Sequence, residues 1–193
     1  MMSLIIYSIP AIIYALVVKL KERVNGREIV RRLGLTLGES RYYLWALGFT
    51  LLGIVTSLGV LQLIPAGVMN EKNIATSRFA GQHLTAISFL SALFFGLFGT
   101  GLGEELFFRG LIGGWLGRRT RLWVANVIQA AIFTLPHLLL LTIEPRLWPI
   151  AFALPFVSGL MLGWLRLKSG SIFPGWVVHG LGNTFSAIAV MSI

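Results

Sequence analysis

The chain contains no cysteine and no aspartate, so its seven acidic residues are all glutamate. Without cysteine there are no disulfides, no thiolate metal sites and no cysteine nucleophile. Without aspartate, a paired-aspartate intramembrane protease is excluded. Polar stretches are scarce as well. The only sizeable one runs from Lys19 to Arg41, which leaves no room for a soluble domain, a repeat array or a low-complexity segment. No H-E-x-x-H sequence occurs, so the usual helical zinc-protease signature is missing. Ser158, Ser169 and Ser171 all lie outside any nucleophile-elbow sequence.

What is present is apolar bulk. At 56% hydrophobic residues and a mean hydropathy of +0.82, the chain is too apolar for an ordinary soluble domain. A membrane span requires about 20 mostly apolar residues, and six segments qualify: roughly 2–18, 42–64, 84–117, 121–141, 148–167 and 171–192. The expected fold is all-α, a polytopic transmembrane helical bundle forming one integral membrane domain over residues 1–193. Residues 1–18 have no basic region ahead of the apolar core and no small-x-small cleavage site, and are expected to stay as a first span. The third segment is 34 residues long, some 50 Å at about 1.5 Å per residue, more than one bilayer requires. Inside it, "GTGLGE" (99–104) imitates a dinucleotide fingerprint but lacks the preceding strand and the final glycine spacing. It predicts a flexible or close-packed point in this segment, so the third helix is expected to be broken or long.

The net charge of +9 is concentrated in alternate loops. Lys19, Lys21, Arg23, Arg27, Arg31, Arg32 and Arg41 follow the first span, Arg118, Arg119 and Arg121 the third, and Arg166 with Lys168 the fifth. The opposite loops hold only Lys72, Arg78 and Arg146. The positive-inside rule places the basic loops, 19–41 among them, in the cytoplasm and both termini outside. The charge is thus a lipid-surface signal, and the expected partners are the bilayer and a membrane-associated peptide or protein, not nucleic acid.

Few uncommon polar groups fall inside the spans: Glu104, Glu105, Arg109, Asn126, Gln129, His137, His179 and Asn183. Such groups are costly at bilayer depth unless they are paired or wet. Three patterns emerge: E-E-x-x-x-R from Glu104 to Arg109, F-x-x-x-H from Phe133 to His137, and H-x-x-x-N from His179 to Asn183. Helical residues four apart share a face, so Glu105 and Arg109 form a counter-ion pair in the favourable order. Glu104 points about 100° away and is left free for chemistry. Asn126 and Gln129 suit helix–helix contacts, and His83 lies at a predicted outer boundary.

A glutamate and histidines in a partly hydrated cavity can activate water. The imidazole and amide donors of His179 and Asn183 suit a developing oxyanion. Glu104, His137 and His179 are also the two-histidine, one-carboxylate set of a catalytic zinc site, so cofactor-free and zinc chemistry both stand. Counted from the basic loops at about 1.5 Å per residue, His137 lies near 24 Å, Glu104 near 20 Å and His179 near 12 Å. A non-enzymatic alternative is a proton-coupled transporter or an immunity or partner-binding factor, although no inverted repeat is visible.

The ordered motifs, with "EELFFRG" and "WVVHGLGN", resemble the CPBP family, the CAAX-protease and bacteriocin-processing group that includes the type II prenyl-protein endoproteases and the Abi proteins. The resemblance covers roughly residues 84–193. It implies an α-helical intramembrane endopeptidase in which Glu104 and His137 activate water and His179 and Asn183 face the oxyanion. Glu105, Arg109 and Phe133 would support them. Members are described both as metalloproteases and as glutamate-dependent peptidases; the metal-free chemistry is favoured here because Asn183 is well used as an oxyanion donor.

Overall fold

The computed structural model describes residues 2–62 and 74–191, and every regular element within them is helical. Short 3-10 turns aside, these are in order α1 (Met2–Lys21), α2 (Gly26–Leu33), α3 (Arg41–Leu61), α4 (Ala86–Gly117), α5 (Leu122–Thr134), α6 (Pro149–Ser169) and α7 (Phe173–Met191). Residues 63–64 and 192 of the predicted second and sixth spans, and Lys72, lie outside the described residues.

Among the described residues, five helical stretches are long and apolar enough to cross a membrane: Ser3–Lys21, Arg41–Val60, Ala86–Gly117, Leu122–Thr142 and Pro149–Ser169. The predicted sixth segment is the 19-residue α7. It is less apolar than those five because His179 and Asn183 interrupt it. α7 packs against α3, α4 and α6 and has no exposed side chain among its described residues. By contrast α1 and α3 carry rows of exposed Ile, Leu and Val, the composition of a lipid-facing surface.

Local signals set the helix ends. Asn25 caps α2 by accepting from Glu28 N–H at 2.9 Å, and Gly34, at φ +72°, closes it. A reciprocal Thr85/Ser88 capping box opens α4. α5 stops at Thr134, just before Pro136, and the chain tightens into a 3-10 stretch over Leu135–Thr142. Proline has no N–H to continue the ladder.

Of the two forms expected for the third segment, a broken or a long helix, the long one is found. α4 stays helical from Ala86 to Gly117 but widens into π-helix at Phe95–Gly101 and again at Glu105–Gly113. The backbone ladder continues through the first wide turn, with Leu102 N–H on Leu97 O, and side chains add further donors to its carbonyls. The Trp176 indole N–H of α7 donates to Leu97 O at 2.7 Å, while the Thr100 hydroxyl lies 3.3 Å from both Phe95 O and Gly96 O. The glycines serve close packing. A Cβ on Gly96 would collide with Gly180 O and Thr184 of α7, and one on Gly103 would stand 2.7 Å from Leu4 Cα of α1.

Two further contacts hold the frame. Gln129 of α5 donates to Gly159 O at 2.7 Å and Asn126 to Leu160 O at 3.0 Å, which fastens α5 to α6. The basic segments meet at one end of the bundle. Arg118 donates to Tyr14 Oη at 2.9 Å and to Arg32 O at 3.2 Å, and Arg166 donates to the same carbonyl at 2.9 Å.

Candidate active site

α4 supplies two adjacent carboxylates, and the turn of the helix sends them in different directions. Glu105 is fully buried with Arg109, Nη1 lying 3.2 Å from Oε1. Arg109 also stacks on the Phe133 ring of α5, its Cζ 3.9 Å from the centroid. None of the three guanidinium nitrogens has a hydrogen-bond partner, and neither does Glu105 Oε2. A Cβ on Gly175 would stand 2.9 Å from that oxygen, so a glycine on α7 makes room for the carboxylate.

His179 joins the two glutamates across the α4–α7 interface. Its Nδ1 lies 2.9 Å from Glu105 Oε1, and its Nε2 lies 3.7 Å from Glu104 Oε2. The first contact is a hydrogen bond that fixes the ring plane; the second is too long for one but leaves Nε2 facing Glu104. The side chains of His179 and Glu104 are 9% and 15% exposed, so both are largely buried yet keep a small access to the outside.

The chain count places Glu104 and His179 at unequal depths, yet their side chains meet. The π-helical stretch between Glu105 and Gly113 puts more residues into each turn, so α4 rises less per residue than the count assumes. That lowers Glu104 toward the level of His179.

His137 sits on the 3-10 stretch just past the end of α5, not on the α-helix that the F-x-x-x-H spacing predicts. Its ring still meets Phe133, with centroids 4.8 Å apart. Its Nδ1 bonds Phe133 O at 3.0 Å, so Nδ1 carries the proton and Nε2 is the acceptor. The Phe133 ring also packs against His179, with centroids at 5.8 Å. Phe133 thus touches Arg109 and both imidazoles. Asn183, one turn beyond His179, donates through Nδ2 to Thr100 Oγ1 at 2.8 Å.

Among the described residues no hydrogen bond or ion pair joins His137 to Glu104, and no three His or Glu side chains form a group able to hold a metal ion. Glu104, His137 and His179 as placed do not fit a zinc. Sequence spacing finds the Glu105–Arg109 pair but misses the Glu105–His179 bond, which crosses 74 residues. It also misses Thr100, since a hydroxyl in a helix draws no attention when it can satisfy itself on a carbonyl one turn back.

No curated protein and no solved structure matches the chain significantly. The family model described as type II CAAX prenyl endopeptidase Rce1-like matches residues 79–185, more than half of the chain and the whole stretch that carries Glu104, Glu105, Arg109, Phe133, His137, His179 and Asn183. The chain therefore belongs to the Rce1-like family of type II CAAX prenyl endopeptidases, a family of membrane proteases.

Proposed function

We propose that this integral membrane protein is a glutamate-dependent endopeptidase that cleaves peptide bonds of membrane-associated substrates, with prenylated peptides as the class its family suggests. The reading rests on one observation above the others: His179 is held by Glu105 at 2.9 Å with Nε2 turned to Glu104 at 3.7 Å. A base and a donor that close can address one scissile carbonyl. Glu104 takes a proton from water, and His137 orients that water through the acceptor Nε2 left by its bond to Phe133 O. Hydroxide adds to the carbonyl carbon. The oxyanion accepts from His179 Nε2–H and from the second Asn183 amide hydrogen. For His179 to donate from both nitrogens the ring is the imidazolium, balanced by the two glutamates. Collapse of the intermediate breaks the C–N bond, and the proton held by Glu104 passes to the leaving amine. No step passes through a metal.

The test is hydrolysis of fluorogenic prenylated and unmodified peptides by purified protein in detergent, beside Glu104→Gln. The variant is expected to fold and to lose about 10²–10⁴ in rate, the worth of a positioned general base, while chelators leave the parent unchanged. Equal activity of variant and parent would sink the assignment of Glu104. Reversible loss of activity on chelation, with about one zinc per chain, would overturn the metal-free chemistry.

We also place the basic end of the bundle in the cytoplasm, because Arg118, Arg119, Arg121, Arg166 and Lys168 lie on alternate connections. Reporters fused at residue 25 and after Ile193 should give opposite signals; identical signals would refute this orientation.

A further inference from the structure

Resting on the endopeptidase reading, we propose that Thr100 is a positioning residue that sets the orientation of the Asn183 amide. Thr100 lies in the π-helical stretch Phe95–Gly101. Its hydroxyl proton has two backbone carbonyls within reach, Phe95 O and Gly96 O, each at 3.3 Å. With that proton engaged, Oγ1 presents only lone pairs to α7. Asn183 must therefore turn its NH₂ toward Thr100, as the Nδ2 to Oγ1 distance of 2.8 Å records. A flipped amide would set Oδ1 against lone pairs. One amide hydrogen is used on Thr100, and the other stays available one helical turn from His179.

The surroundings favour this arrangement. Gly96 and Gly180 bring α4 and α7 so close that a Cβ on Gly96 would collide with Gly180 O. Thr184, the residue after Asn183, spends its hydroxyl proton on Gly180 O of its own helix at 2.7 Å. The π-turn, the hydroxyl and the amide thus form one chain of hydrogen bonds from the backbone of α4 to the oxyanion donor.

Thr100→Val keeps the shape and removes the acceptor, while Thr100→Ser restores it. Both are measured with Asn183→Ala and the Thr100→Val/Asn183→Ala double variant. Thr100→Val is expected to lower kcat by about 10–10², less than the 10²–10³ typical of losing an oxyanion donor outright, with KM changed by less than about twofold. Thr100→Ser should stay within about threefold of the parent, and Thr100→Val should have no further effect once Asn183 is alanine.

A second readout does not depend on turnover: selective ¹⁵N labelling of the asparagine side chains, with the Asn183 pair identified by its loss in Asn183→Ala. That pair should shift in Thr100→Val and not in Thr100→Ser. If Thr100→Val fails to fold, Thr100→Ala is read in its place. Unmoved amide signals with unchanged kcat, or a full Thr100→Val effect in the Asn183→Ala background, would overturn the proposal. A parent without peptidase activity would refute the endopeptidase reading, and the amide signals would still decide the role of Thr100.

Discussion

Two clusters of arginine and glutamate stand in different surroundings in this molecule. Glu28 on α2 bonds Arg31 at 2.8 and 2.9 Å and Arg32 at 2.8 Å, and Glu22 adds a bond to Arg32 at 2.6 Å. These groups are near water and well satisfied. Glu105 and Arg109 use the same chemistry at 0% exposure, 3.2 Å apart, with three guanidinium nitrogens and a carboxylate oxygen lacking hydrogen bonds. A surface pair contributes little to stability whether present or absent. A buried pair that is poorly satisfied costs desolvation that Coulomb attraction only partly offsets. The pair lies beside Phe133 and His179: Glu105 bonds the imidazole at 2.9 Å, and Arg109 is its counter-ion and stacks on the Phe133 ring.

The comparison breaks most visibly if one member of the buried pair is removed. Arg109→Met should leave Glu105 uncompensated and destabilise the protein by about 3–5 kcal/mol, read as a fall in thermal unfolding temperature in detergent. The double replacement Glu105→Gln/Arg109→Met should recover much of that stability while activity stays lost. Equal melting of Arg109→Met and the parent would refute the coupling.

Next in size is His179→Ala, which should reduce kcat by about 10²–10³ with little change in KM, as expected for a donor used mainly in the transition state. A rise in KM at constant kcat would make His179 a substrate-binding group instead.

The smallest effect belongs to the surface cluster. Hydrogen bonds from Arg31 and then Arg32 hold the Glu28 carboxyl down to about 2, from an ordinary value of 4.5. Because the folded value is the lower one, the contribution is fully present above about pH 4.5 and is lost as pH falls through about 2. A carboxyl titration by NMR should find Glu28 still ionised at pH 3. Glu28→Gln should lower the unfolding temperature near pH 7 only slightly, far less than Arg109→Met does. A titration midpoint near 4.5 would show that these bonds do not form in solution.

By itself the sequence determined the class of fold and named candidate residues for the site. Runs of about 20 apolar residues admit only helices in lipid, since every backbone group must be satisfied within its own segment. The E-E-x-x-x-R spacing likewise pairs Glu105 with Arg109, because neighbours on a helix are fixed by its local geometry. Only the tertiary structure decided the rest. The glycines at 99–103 read as a flexible or close-packed point, and the fold makes it close packing: α4 continues through them, as π-helix up to Gly101, with Gly103 set against α1 and the preceding Gly96 against α7. The α-helix ends at Thr134, ahead of Pro136, and His137 on the 3-10 stretch beyond still reaches Phe133. The bonds from His179 to Glu105 and from Asn183 to Thr100 cross 74 and 83 residues. No local period encodes such contacts: they depend on how closely glycine lets α4 and α7 approach, which is a property of the packed pair and of neither helix alone.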